Sequence, residues 1–247
     1  MIIAVPKETR PGENRVSLIP DTVKKLQKSG YEIYVEKDAG LSAGFETSAY
    51  EKAGAKIYDG VQELFNSADI ILKVQRPTEE EIGKIPEGKI VIAFFYSLHY
   101  PEIAQKAAEK KLNLISMDAI PRTTLAQKMD ALSSQANLAG YKSVILSANY
   151  LGKIFPLMMT AAGTISPARV VIMGAGVAGL QALGTAKRLG AVVEVSDIRR
   201  QVKEEVQSLG GRFIEVETDE SMQDEGGYAK EESEEFLKNK KELILKH

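Results

Sequence analysis

The feature that most constrains this chain is the run from residue 168 to Asp197. Residues 168–173 are a short apolar stretch, Arg-Val-Val-Ile-Met at its heart, of the kind that forms a buried strand. Gly174-Ala175-Gly176-Val177-Ala178-Gly179 follows at once, then residues 180–189 in helical pattern, closed by Gly190. A second strand, 191–196, ends in Asp197. Each glycine has a mechanical task. Gly174 permits a tight turn, Gly176 lets the backbone approach a pyrophosphate, and Gly179 allows a helix to pack closely on a strand. The helix that starts there points free N–H groups and its positive dipole end at the phosphates.

Asp197 lies 23 positions after Gly174, near the spacing of about 20 that such sites use. Its carboxylate can accept hydrogen bonds from an adenosine ribose and repels a 2′-phosphate, which favours NAD over NADP. Arg199 and Arg200 weaken that preference, because an arginine there can bind a 2′-phosphate. A lone glycine pattern is weak evidence. Strand, glycines, helix, second strand and terminal acid in order point to a dinucleotide site of the Rossmann type.

The first half of the chain also alternates. Residues 2–5, 31–35, 69–74, 89–95 and 112–116 read as strands, with amphipathic helical stretches between them. Residues 21–29 form one helix, with Asp21 as its expected N-cap and Gly30 as its stop. Residues 101–111 form another, with proline in the first turn. Strands spaced by helices imply parallel βαβ units, so the expected fold class is α/β, with two Rossmann-like parallel-sheet domains. A long helix from Thr124 to about Leu151 is expected to join them, with Leu125, Met129, Leu132 and Ala136 facing a core. A loop over 160–167, rich in Gly, Thr, Ser and Pro, should follow. The expected domains are 1–130, an N-terminal α/β domain, and 131–247, the dinucleotide-binding domain. The latter reads as truncated, since a doubly wound sheet should continue past Leu243.

Composition narrows the chemistry. The 247 residues include no cysteine, which excludes disulfides, thiolate catalysis and cysteine-based metal sites and fits a reducing cytoplasm. With only His99 and His247 as histidines, no metal site is expected. A net charge of -2 gives no basic footprint for nucleic acid. The apolar start is followed at once by Pro6-Lys7-Glu8, unlike a signal peptide. The apolar stretches at 144–154 and 170–183 are broken by Lys153 or by glycines, short of the ~20 residues a membrane span needs. Any membrane role is therefore expected to come from another chain.

A second stretch is specific in a different way. In Pro121-Arg122-Thr123-Thr124-Leu125-Ala126-Gln127-Lys128-Met129-Asp130 and on to Tyr141, a polar face of Gln127, Asp130, Ser133, Ser134 and Asn137 lies opposite the Leu125/Met129/Leu132 stripe. On pattern alone this is a solvated helix face, with Thr124 and Gln127 as an ordinary capping box. Taken with Pro156-Leu-Met-Met-Thr-Ala-Ala-Gly-Thr164 and Met173-Gly-Ala-Gly-Val-Ala-Gly-Leu-Gln-Ala182, it resembles the soluble NAD(H)-binding domain of proton-translocating transhydrogenases. Val5-Pro-Lys-Glu-Thr-Arg-Pro-Gly-Glu-Asn-Arg15-Val16 is similar to that family and to its relative, alanine dehydrogenase. The likeness runs the length of the chain and is most specific at 122–141.

The resemblance implies that Arg122, Asp130 and Ser133 orient the nicotinamide carboxamide and that Gln127 bridges toward a partner nucleotide. Arg122, Gln127 and Asp130 are thus the candidate catalytic residues, acting by orientation, with Thr123 and Thr124 among the cofactor contacts. It also implies that Val177, Asp197, Ile198 and Arg199 line the adenosine side. Gly226-Gly227-Tyr228 matches a loop that folds over bound NAD(H), although the glycine pair by itself reads as a flexible turn. With one glycine motif there is one nucleotide site, so NADP(H) is expected on a partner domain and proton movement in membrane-spanning partner subunits. The family also implies a homodimer, cytoplasmic and held at the inner membrane through those partners.

Arg15, Lys73 and His99 point elsewhere. They occupy positions resembling the substrate-binding arginine and lysine and the catalytic histidine of alanine dehydrogenase. His99 follows a strand, and a histidine suits proton transfer near neutral pH. The plainer reading makes His99 a structural loop residue and Arg15 and Lys73 charges that hold loops together. An amino-acid dehydrogenase is therefore the second reading of the chain, and a nucleotide-binding module without turnover is the third.

Overall fold

The computed structural model describes residues 1–215 and Lys241, and the chain divides into two compact units, Met1–Ala131 and Leu132–His247. The first unit runs β1 (Ile2–Val5), α1 (Pro20–Lys28), β2 (Glu32–Glu36), α2 (Thr47–Lys52), β3 (Lys56–Tyr58) and α3 (Val61–Ser67). It continues through β4 (Ile70–Gln75), α4 (Glu79–Lys84), β5 (Ile90–Phe94), α5 (Pro101–Glu109) and β6 (Asn113–Ser116). The strands form one sheet in the order β3-β2-β1-β4-β5-β6, every neighbour parallel. The chain starts in the middle, builds to one edge, then returns to the other side of β1. The strand order thus reverses between β1 and β4, the topological switch point of a doubly wound sheet.

Alternation along the strands fills both faces. Ile3 and Val5 join Val23, Ile33, Val35 and Tyr50 in one core, while Ala4 joins Leu64, Phe65, Ile71, Val91 and Phe95 in the other. Covering both faces is why these strands read as nearly continuous apolar runs. The edge strand β3 has no counterpart in the sequence reading, because three half-exposed or exposed residues carry no periodicity. Helix α1 begins at Pro20 with Ile19 in the cap position, so Asp21 lies in the first turn and is not the N-cap. Proline fixes the helical φ there, and the aspartate still favours the positive dipole end.

The second unit is entered through α6 (Ala131–Tyr150). It continues with β7 (Met158–Thr160), β8 (Gly163–Ile165), β9 (Arg169–Met173), α7 (Val177–Arg188), β10 (Val192–Ser196), α8 (Lys203–Ser208) and β11 (Arg212–Ile214). Among the described residues β11-β10-β9 make a parallel sheet, with Val193 and Val195 packed on Leu183 and Ala186 of α7, Val206 of α8 and Val144 of α6.

Two expectations fail here. The long helix starts at Ala131, not Thr124, because Asp130 takes φ -73 and ψ 80, outside the helical region. Residues Gln127–Met129 form a separate 3-10 turn, no helix starts at Thr124 for a capping box to close, and Leu125 is 92% exposed and Met129 52%. Leu132 and Ala136 do sit half-buried in α6, but the expected stripe does not extend below Asp130. The expected loop at 160–167 carries most of an antiparallel hairpin, β7–β8, whose strand residues are all exposed. Among the described residues no helix is long and apolar enough to cross a membrane.

Candidate dinucleotide site

The site grows from the C-terminal edge of the second sheet. Strand β9 delivers the chain to Gly174 and β10 delivers it to Asp197, and the Gly174 N–H donates to the Ser196 carbonyl at 2.7 Å. The three motif glycines are required for different reasons. Gly174 has φ +97, a conformation that disfavours a side chain. A Cβ on Gly179 would stand 1.8 Å from the Gly174 carbonyl oxygen, so helix and turn touch there. A Cβ on Gly176 meets nothing within 4 Å. The space in front of Gly176 is open, and a pyrophosphate can approach the backbone through it.

Helix α7 begins at that point. Gly176 is its extended N-cap and provides no side-chain hydrogen bond, so first-turn N–H groups remain for an anion. Lys187 and Arg188 in the last turn complement the negative end of the dipole. Gly140, in the interior of α6, supports the arrangement from behind. A Cβ there would lie 2.1 Å from the Ala178 carbonyl oxygen, so α6 rests directly on the first turn of α7. The sequence reading missed this positioning role. A glycine inside a helical pattern, at a cost of about 1 kcal/mol, is the signal that could have revealed it.

Asp197 is held more tightly than expected. Its Oδ2 accepts from the Ala175 N–H at 2.6 Å and from Arg199 Nη2 at 3.0 Å. Its Oδ1 accepts from the Arg199 N–H at 2.8 Å and from Arg199 Nε at 3.0 Å. Burial pushes the carboxyl upward, but the Arg199 side chain and the two backbone N–H groups outweigh it, and the group ends below its usual range. Asp197 is therefore ionised at neutral pH and ties β10 to the glycine loop. Val177 is exposed at the start of α7, and Ile198 is half-buried beside Asp197.

The remaining expected residues occupy another segment. Arg122, Thr123 and Thr124 are exposed in the loop that precedes the 3-10 turn, Gln127 is exposed within that turn, and Asp130 is half-buried at its end. Ser133 is half-buried in the first turn of α6. Gly226, Gly227 and Tyr228 lie outside the described residues. The structure thus gathers Gly174, Gly176, Val177, Gly179, Asp197, Ile198 and Arg199 around one turn, with residues 122–130 a separate contiguous stretch at the end of the first unit.

The switch point of the first sheet is closed by charge. Glu8, just beyond β1, accepts from the Val74 N–H at 2.6 Å and the Gln75 N–H at 3.3 Å. Lys73 Nζ lies 2.8 Å from Glu81 Oε1 and 3.6 Å from Glu8 Oε2, with its side chain 1% exposed. Glu81 also closes the capping box of α4 with Thr78. Glu13 accepts from Arg15 Nε at 2.8 Å and from Gln75 Nε2 at 2.8 Å, and the Arg15 hydrogen bonds hold its carboxyl down at about 2. Burial pushes Glu8 above its ordinary value despite the nearby Lys73. His99 is exposed in the turn after β5, where Tyr96 takes φ +50. Two carboxylates, Glu81 and Glu8, already stand against the buried Lys73 ammonium. The sequence reading named Lys73 and Arg15 but missed these carboxylate partners.

Two family models match the chain: "Alanine dehydrogenase/PNT, N-terminal domain" over residues 4–139 and "Alanine dehydrogenase/PNT, C-terminal domain" over residues 143–245. The chain is 46% identical over 243 residues to NAD(P) transhydrogenase subunit alpha of Haemophilus influenzae, an alignment covering 98% of this chain and 47% of that protein. It superposes on the crystal structure of transhydrogenase from Sinorhizobium meliloti with a TM-score of 0.84 at 46% identity, covering 87% of this chain and 64% of that one. Alanine dehydrogenase of Bacillus subtilis is less similar, at 30% identity over 219 residues, 87% of this chain and 57% of that protein. The chain spans less than two thirds of the length of these relatives.

Proposed function

The chain belongs to the alanine dehydrogenase/PNT family, and we propose that within it the protein is the NAD(H)-binding component of a proton-translocating transhydrogenase. The observation that carries this reading is the bare glycine cradle of the second unit. Open space at Gly176 meets the uncapped start of α7, with an ionised carboxylate at the edge. These residues fit NAD(H). Gly176 and the first-turn N–H groups would hold the pyrophosphate, and Asp197, with Val177, Ile198 and Arg199 beside it, would hold the adenosine ribose. The family resemblance adds Gly227 and Tyr228, outside the described residues, to the nucleotide contacts.

The dihydronicotinamide supplies the hydride, and the chain's residues supply orientation. Arg122, Asp130 and Ser133 hold the carboxamide, Thr123 and Thr124 contact the cofactor, and Gln127 faces the second nucleotide. No side chain has to move a proton for a hydride to pass between two nicotinamide rings. With one glycine cradle among the described residues, NADP(H) binds on a partner domain, and membrane-spanning partner subunits couple the transfer to proton translocation. The protein works from the cytoplasmic side of the inner membrane, held there by those partners. Domains 1–130 and 131–247 divide the work, the second carrying the adenosine half of the nucleotide. The component acts as a homodimer, a reading supported by the exposed β7–β8 hairpin with Met158, Met159 and Ile165 uncovered.

An amino-acid dehydrogenase would need Lys73 and Arg15 to receive a substrate carboxylate. The ion pairs of Lys73 with Glu81 and Glu8 weigh against it, as does the lower identity to alanine dehydrogenase. The test is a fluorescence titration with NADH and with NADPH, followed by hydride exchange with and without an NADP(H)-binding partner. Selective NADH binding and partner-dependent exchange are expected, with exchange lowered about tenfold or more in Gln127→Asn at unchanged NADH affinity. Alanine-dependent NADH formation without a partner, abolished by His99→Ala, would replace this reading with the dehydrogenase. A chain that binds no NADH would leave neither.

A further inference from the structure

Asp197 is saturated by donors from its own chain. A carboxylate offers about four lone-pair positions, and here each oxygen accepts two hydrogen bonds. Two of the donors, the N–H groups of Ala175 and Arg199, are main chain and fix the loop. The other two, Nε and Nη2, belong to one guanidinium whose side chain is 26% exposed. A ribose whose 2′- and 3′-hydroxyls both donate to Asp197 needs one position on each oxygen, and the Arg199 fork occupies one on each.

We infer that Arg199 is a displaceable plug of the adenosine-ribose subsite, withdrawn from Asp197 when NAD(H) enters, and that it sets both affinity and selectivity for the nucleotide. The inference rests on the dinucleotide reading above and deepens it. The main-chain bond from Arg199 to Oδ1 can persist, so a change of side-chain rotamer suffices to clear both positions. The planar fork imitates the two donors of a diol, which is why one guanidinium can hold the place of both hydroxyls.

Two consequences follow from this competition. Bound nucleotide must displace a charge-assisted pair, so the plug weakens NADH binding. The freed guanidinium stays within side-chain reach of the ribose 2′ position, where it offers a partner to a 2′-phosphate that Asp197 would otherwise repel. Removing the side chain should therefore tighten NADH binding and sharpen rejection of NADPH.

The experiment titrates the full chain with NADH and with NADPH, as wild type, Arg199→Ala and Arg199→Lys, with thermal unfolding recorded alongside. In Arg199→Ala the NADH Kd is expected to fall about three- to fivefold, the scale of a partly exposed ion pair, while the NADPH Kd does not fall. Arg199→Lys should lie between, since an ammonium is a point charge without the fork. An NADH Kd in Arg199→Ala equal to or weaker than wild type overturns the plug. If Arg199→Ala fails to fold, Arg199→Lys decides by the same criterion. Wild type that binds no NADH would sink the dinucleotide reading and the plug together. Normal NADH binding by wild type with unaltered variants removes the plug alone.

Discussion

In the first unit the C-terminal edge between β1 and β4 carries Glu8, Lys73 and Glu81, whereas in the second unit the edge between β9 and β10 carries Gly174, Gly176 and Asp197. Both are parallel sheets, and the general rule for open α/β sheets directs ligands to such an edge. Topology offers the place twice, and side chains decide which place is used. At Lys73 the protein fills the crevice with a buried triad, whose desolvation is offset by mutual pairing and by hydrogen bonds from the Val74, Gln75 and Thr78 N–H groups. At Gly176 it leaves backbone N–H groups without side chains in front of them. The first edge is a brace and the second is a cradle.

The comparison breaks most visibly if the brace turns out to matter for binding. Lys73→Ala leaves two carboxylates buried without their cation and should cost about 3–5 kcal/mol of stability, read by denaturant unfolding. NADH affinity in the protein that remains folded should stay within about twofold of wild type. A folded Lys73→Ala that has lost NADH binding would place the ligand in the wrong unit. Gly179→Ala comes next. Its Cβ is forced toward the Gly174 carbonyl, so about 1–3 kcal/mol of overpacking should appear together with NADH binding weakened by about tenfold or more.

Gly176→Ala sharpens the contrast, because stability and binding should separate. The new methyl meets no protein atom, so stability should change by no more than about 0.5 kcal/mol, while NADH affinity falls about tenfold. Equal loss of both would mean that Gly176 serves the fold and not the ligand.

The smallest effect is electrostatic and belongs to the brace. Glu13 is held at about 2 in the folded chain against an ordinary 4.5, chiefly by its hydrogen bonds with Arg15. A depressed carboxyl contributes stability above its unfolded value and loses it as pH falls, here between 4.5 and about 2. Glu8 has the opposite sign. Its raised value means that stability is present below 4.5 and declines as pH rises through the folded value. Glu13→Gln should therefore flatten the acid limb of a stability–pH profile by on the order of 1 kcal/mol, and Glu8→Gln should remove the decline on the other side.

What could be read in the sequence was whatever one local pattern fixes. Strand, three glycines, helix and Asp197 lie within one continuous stretch, and each residue type has one conformational or chemical use there. The strands β1, β2, β4, β5 and β6 were legible because two covered faces make long apolar runs. Three-residue elements such as β3 and the β7–β8 hairpin fall below the length at which periodicity separates from chance. Leu125 and Met129 were misplaced for a related reason, since helical spacing continues through Asp130 although the backbone does not. Glu8 pairing with Lys73 spans 65 positions and Gly140 touching Ala178 spans 38, and no single-sequence pattern reports such partners. The Arg199–Asp197 pair was within reach, two residues apart, but its geometry at a strand end had to be seen.

The most direct test of the account is to follow backbone amide shifts as NADH is added. The predicted result is saturable shifts at Ala175–Ala178 and Asp197–Arg199, with further changes in residues 122–133, and quiet amides at Glu8 and at Lys73, Val74 and Gln75. Shifts concentrated at Glu8 and Lys73, with the glycine loop unmoved, would contradict it.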